Sequence, residues 1–207
     1  MTSPWSSVIH EAEEWIRDFV GQPHRDLGRR GPVCPFVPAA LAKGRIDYRV
    51  RADLSDGSIA VLTQGLTAEI TDFATDSDTT GPLDARLILL PGALATAWSR
   101  LDEAYGAVLK DLAVDMGVMV GQFHPDCNEG SVHNDAFRTS RSPVAMLAIR
   151  RMAVHDILFL QDEARWVAVY ARRFGPGCVG GDTGDSLVAD LRRELFSSSP
   201  LGVGRER

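Results

Sequence analysis

Eight side chains with usable chemistry fall between positions 124 and 141 of this chain: His124, Asp126, Cys127, His133, Asn134, Asp135, Arg138 and Arg141. An imidazole titrates near neutral pH and binds metals in its neutral form. His124, set between Phe123 and Pro125, is therefore a candidate general base, or a metal or haem ligand. The plainer alternative is a structural histidine bonded to loop backbone. His124, Cys127 and His133 are spaced H-x2-C-x5-H, a set of nitrogen and sulfur donors that zinc accepts, and Cys34 would add a fourth. No paired C-x2-C accompanies them, so the spacing matches no zinc finger. Cys34 lies in Val33-Cys34-Pro35-Phe36, where a thiolate would act as nucleophile or axial ligand, and where a buried thiol would simply pack as a small apolar group. Cys127 reads first as a loop thiol, and Cys178 sits in a glycine-rich turn.

Arginines surround the same stretch. Arg138, Arg141, Arg150 and Arg151 supply guanidinium groups that bind carboxylate or phosphate in a bidentate way. Together they suggest a clamp for an anionic group such as a haem propionate or an amino-acid carboxylate, with Arg29 and Arg30 able to join through the Cys34 turn. Ion pairing with Asp126, Asp135 and Asp156 is the plainer use. Strand alternation sends Arg150 and Arg151 to opposite faces, so one pocket can use only one of them. In His155-Asp156 the carboxylate reads as a capping or structural group. The chain has no Walker-type loop, no G-x-G-x-x-G after a strand, no G-x-S-x-G elbow and no H-E-x-x-H.

These residues need elements to hold them. Apolar residues recurring every three to four positions predict helices over 4–20, 57–73, 93–116, 163–174 and 185–196. Ser3 would cap the first and Pro4 would open it. Alternating or continuous apolar runs predict strands over 45–51, 87–90, 118–123 and 144–149. Prolines 32, 35 and 38 exclude a regular element there and predict an ordered turn that places Cys34 and Phe36. Residues 39–43 can add one helical turn, and 155–160 fit either helix or strand. The long polar loop between the third and fourth strands is of the kind that usually carries function.

The predicted fold is α+β, a mainly antiparallel four-stranded sheet with helices on one face. It forms a single domain over 1–196 with a frayed tail over 197–207. The chain has 207 residues, 44% of them hydrophobic and 24% charged, with a net charge of −6. The sequence pI is about 5.3. That acidity argues against nucleic acid as a partner. No apolar run is long enough to span a membrane. The N-terminus lacks a signal peptide, and three cysteines are too few for a disulfide scaffold. A cytoplasmic location is expected; a homodimer is compatible with the sequence.

Cys34-Pro35-Phe36, Phe123-His124-Pro125, Asn134, Arg141-Ser142-Pro143 and downstream Arg150 resemble the signature of bacterial domain-of-unknown-function families. The resemblance runs over residues 5–175 and departs at Ala145, where many members have proline. It implies no activity. The layout is more loosely similar to the YqcI/YcgG-type haem proteins, some of which hydroxylate amino-acid nitrogen or carbon. That similarity implies a haem-dependent oxygenase of an amino-acid-like small molecule in a biosynthetic pathway. His124 or Cys34 would be the axial ligand, Arg138, Arg141 and Arg150 cofactor anchors, and Asn134, Arg141 and Phe36 substrate contacts. On that reading the imidazole and the thiol converge on one cavity. A non-haem metal or zinc protein using His124, Cys127 and His133 is the first alternative, and a non-enzymatic binding domain the second.

Overall fold

Strand β2 (Ala85–Leu89) explains the architecture, because both of its faces are apolar. Leu87 and Leu89 pack with one cluster of buried residues, Ile88 and Leu90 with another. A strand buried on both faces needs cover on both faces. The computed structural model describes residues 4–79, 81–92, 97–176 and 185–197. Ser3, Leu94, Cys178 and most of the 197–207 tail lie outside the described residues. Two compact units divide the chain, Met1–Met152 and Ala153–Arg207.

The first unit holds a four-stranded sheet in the order β1-β2-β4-β3, with β1 at Ile46–Val50, β3 at Val118–Phe123 and β4 at Met146–Arg151. β1 pairs parallel with β2, while β4 pairs antiparallel with both β2 and β3. The sheet is therefore mixed, with two of its three pairings antiparallel and the β1–β2 pair parallel. The reason is the connection from β1 to β2. It contains α3 (Ala52–Ser55) and the long α4 (Ile59–Thr75), and a helical crossover of that length returns the chain in the same direction.

Helices also cover both faces, not one. On the first face lies α4 with Leu62, Leu66, Ile70 and Phe73. Beside it runs a helix made of α5 (Trp98–Ala104), a π turn (Tyr105–Leu109) and α6 (Lys110–Asp115). On the second face lies α1 (Ser6–Trp15), continued by a π turn (Ile16–Val20), through Ala12, Ile16 and Val20. Pro4 precedes α1 in a turn and does not open it. Each buried leucine or isoleucine contributes ~1.5–3 kcal/mol.

The π turn in the α5–α6 helix shifts its phase. A strict helical period puts Val108 on the buried stripe; instead Val108 is exposed and Leu109 is buried. The extra residue of a π turn rotates every later side chain by one position.

Three arginines link β1, β2 and α4 through carboxylates. Arg86, 1% exposed, donates to Asp47 at 3.0 Å and to Asp72 at 2.7 Å. Arg49 and Arg51 both reach Glu69 on α4. Arg151 caps the end of α4 by donating to the carbonyls of Phe73, Ala74 and Asp76.

The second unit contains a 3-10 turn (Val154–Asp156), α7 (Ile157–Leu160), α8 (Ala164–Arg173) and α9 (Ser186–Ser197). The Asp156 carboxylate accepts the Ala153 N–H at 2.7 Å, the capping role expected for it. Tyr170 on α8 donates to the Val154 carbonyl at 2.7 Å and accepts from Arg192 on α9 at 2.6 Å. No helix among the described residues is long and apolar enough to cross a membrane.

Candidate functional site

His124 is the first residue beyond β3, and its backbone is bonded at both polar groups. Its N–H donates to the Ser140 carbonyl, and its own carbonyl accepts from Cys127 and Ser142. Phe123 faces the α1 side of the sheet. Alternation therefore turns His124 to the other face, under α5. There the imidazole is 1% exposed. Its Nε2 lies 3.1 Å from Asp102 Oδ1. The Trp98 indole stacks on the ring at 5.4 Å between centroids with an interplanar angle of 15°. Trp98 and Asp102 are four positions apart on one helix, so the same face presents both. Trp98 Nε1 also donates to Asp126 at 2.8 Å, which ties α5 to the β3–β4 loop.

The Asp102 carboxylate can only accept, so it selects the tautomer of His124 with its proton on Nε2. Nδ1 is then a lone-pair acceptor, and it is buried without a hydrogen-bond partner. Gln122, two residues earlier and on the same face, has a second buried acceptor without a partner, Oε1. Its Nε2 donates to Glu129 at 3.2 Å. Glu129 is exposed as a residue, but its carboxyl end lies against the buried Gln122. Loss of hydration there pushes the carboxyl pKa up, the nearby Asp102 adds to the rise, and the Gln122 bond, Lys110 and His124 oppose it. Burial pushes the Cys127 thiol up as well. That thiol stays protonated and is no activated nucleophile. Tyr105 donates to the Val120 carbonyl at 3.3 Å, and burial raises its pKa too.

The other predicted site residues do not converge here. Cys34 packs on the opposite face, against the cluster of Ala12, Ile16 and Val20. A hydrogen-bonded sheet separates it from His124, so the shared cavity expected for the two does not form. They cannot ligate one iron together. Phe36 and Arg150 belong to each other: the guanidinium lies 5.0 Å from the centre of the ring. Arg150 is on the Cys34 face and Arg151 under α4, as the alternation predicts. Arg138 donates to the Asp135 carbonyl. Arg141 is exposed and bonds the Cys127 carbonyl at 3.3 Å. Arg29 is occupied by the Arg30 and Val33 carbonyls. These arginines stitch loops and make no common clamp.

Asn134, predicted as a substrate contact, instead ties two loops together. Its Nδ2 donates to the Asp26 carbonyl at 2.7 Å, and nearby Ser131 donates to the Leu27 carbonyl at 3.0 Å. Phe137 stacks on His24 at 4.3 Å. Gly28, at φ +82°, lets the two loops approach: a Cβ there would stand 2.6 Å from the His133 carbonyl oxygen. His133 is thus held in the loop–loop contact. Among the described residues no three His, Cys, Asp or Glu side chains gather so as to hold a metal ion. The His124, Cys127 and His133 set is not assembled.

The chain matches a domain-of-unknown-function family, DUF6875, over residues 9–182. It belongs to that family. Membership of a domain-of-unknown-function family was the expectation from the Cys34, His124, Asn134 and Arg141 motifs. No curated protein and no solved structure matches the chain.

Sequence reasoning missed Asp102, Trp98, Gln122 and Glu129. One signal was present. Asp102 falls four residues after Trp98, on the helix face that Trp98 presents.

Proposed function

We propose that the Asp102–His124 pair is the acid–base centre of an enzyme that acts on a small polar molecule. The observation that carries this reading is the state of the imidazole. One nitrogen is held by a carboxylate, and the other is a buried acceptor with nothing bonded to it. Leaving such an atom unpaired costs ~1–3 kcal/mol, and orphaned polar groups of this kind accompany catalytic roles or bound molecules. Asp102 fixes the tautomer, Trp98 fixes the ring plane, and the lone pair at Nδ1 would take a proton from a bound molecule.

A haem-dependent oxygenase would in this fold depend on His124 alone. Cys34 and Arg150 lie on the other face, and His124 Nε2 is already engaged. The acid–base reading is therefore preferred.

Three measurements test it. Nitrogen NMR of histidine-labelled protein, at a pH where imidazoles are neutral, should show the His124 proton on Nε2, and Asp102→Asn should weaken that tautomer preference. Hemin should produce no Soret band that His124→Gln abolishes. On any substrate found to turn over, His124→Gln should lower kcat by about 10²–10⁴-fold, the usual worth of a general base. A proton on Nδ1, a His124-dependent Soret band or an unchanged kcat defeats the proposal.

A further inference from the structure

The arginines predicted an anionic ligand, but the side chains around His124 have the opposite character. Its Nδ1 and Gln122 Oε1 are both acceptors, and both are buried without partners. His124 is 1% exposed and Gln122 6%. Gln122 lies in β3 one residue before its last, Phe123, and His124 is the first residue beyond the strand, so extended backbone turns both to the same side from positions ~6.7 Å apart. Asp102 contacts the imidazole, and Glu129 contacts Gln122. Asp126 closes the same group through Trp98. The positive charges within range are Lys110, near Glu129, and Arg141, near Cys127. Arg141 already donates to the Cys127 carbonyl and to Asn128.

Acceptors without partners ask for donors, and the Asp102 and Asp126 carboxylates beside them ask for positive charge. We infer that the His124 site takes an organic cation, a protonated amine or amidine, whose N–H groups donate to His124 Nδ1 and Gln122 Oε1. This rests on the acid–base reading, of which it names the substrate class. One nitrogen with two bonds of ~2.9 Å bridges acceptors up to ~5.8 Å apart, and the two nitrogens of an amidine span more. A metal cation is a poorer fit, because among the described residues no three metal-binding side chains gather. An anion would face lone pairs and carboxylates.

The test uses the full chain with labelled histidine. Methylammonium chloride, acetamidinium chloride, sodium acetate and sodium chloride are titrated separately at matched ionic strength. Methylammonium or acetamidinium should shift the His124 nitrogen signals saturably, and sodium acetate should do no more than sodium chloride. Gln122→Met keeps the side-chain length and removes the acceptor; it should weaken cation binding about tenfold, the worth of one charge-assisted hydrogen bond. Saturable binding of acetate, no response to either cation, or unchanged affinity in Gln122→Met overturns the inference. The tautomer of His124 without ligand is read in the same spectra. A proton on Nδ1 defeats the acid–base reading itself, whereas a proton on Nε2 with no cation response defeats only the ligand class.

Discussion

The proposed chemistry rests on two buried acceptors, His124 Nδ1 and Gln122 Oε1, that have no hydrogen-bond partner. Glu129 is the residue where this has a measurable consequence for stability. Its folded-state pKa stands above the ordinary carboxylate value, first because of lost hydration. The folded chain therefore holds a proton that the unfolded chain releases. Stability from this group is complete below the ordinary carboxylate pKa and is lost as pH rises through the raised value. Glu129→Gln should remove that loss. Urea unfolding from acid to neutral pH should show a flatter profile for the variant and a higher unfolding free energy at neutral pH. A variant that is less stable at neutral pH would show that the ionised carboxylate is needed. Only part of this residue-level picture was legible. His124 was identifiable because a proline follows it at the end of an apolar run. Asp102 and Glu129 were not, because nothing in a linear chain marks which carboxylate ends within reach of an imidazole.

Helices and strands decide where those atoms sit, and two of them carry features that can be tested alone. Gly106 lies in the π turn of the α5–α6 helix with open space where a Cβ would be. Gly106→Ala should stabilise by ~0.5–1 kcal/mol, because the unfolded chain loses freedom and nothing clashes. Thermal unfolding checks this, and a lower Tm would show that the π turn needs glycine. Arg86 is the opposite case. Its removal leaves Glu69, Asp47 and Asp72 facing one another beside Phe73. Arg86→Ala should cost ~3–5 kcal/mol, the range for breaking a buried ion pair, although the exposure of Asp47 and Asp72 points to the lower end. A loss under ~1 kcal/mol would mean that solvent already screens the group. At this scale the sequence was read well where periodicity is strong. The helices predicted over 57–73 and 163–174 appear at Ile59–Thr75 and Ala164–Arg173. It was read less well for the last strand, expected over 144–149 and found at Met146–Arg151, since Val144 and Ala145 are buried without being in the ladder.

Across the first unit, the sheet separates two layers of chemistry. His124 lies under α5 with Trp98 and Asp102, while Cys34, Phe36 and Arg150 lie on the α1 side. Residues with no shared partner should act independently. In a double-mutant cycle, Cys34→Ala and His124→Ala should add within ~0.5 kcal/mol in unfolding free energy. A larger coupling would mean that the two faces communicate through the strands. The amino-acid sequence alone determined the α+β class, most of the helices and membership of a domain-of-unknown-function family, because these follow from local periodicity and from the chain's own residue pattern. Only the tertiary structure decided which side chains meet. The direction of β1 relative to β2, the single-residue phase shift of a π turn and the alternation that turns Phe123 and His124 to opposite faces are set by packing at long range. A change of one residue in any of them sends a side chain to the other side of the sheet.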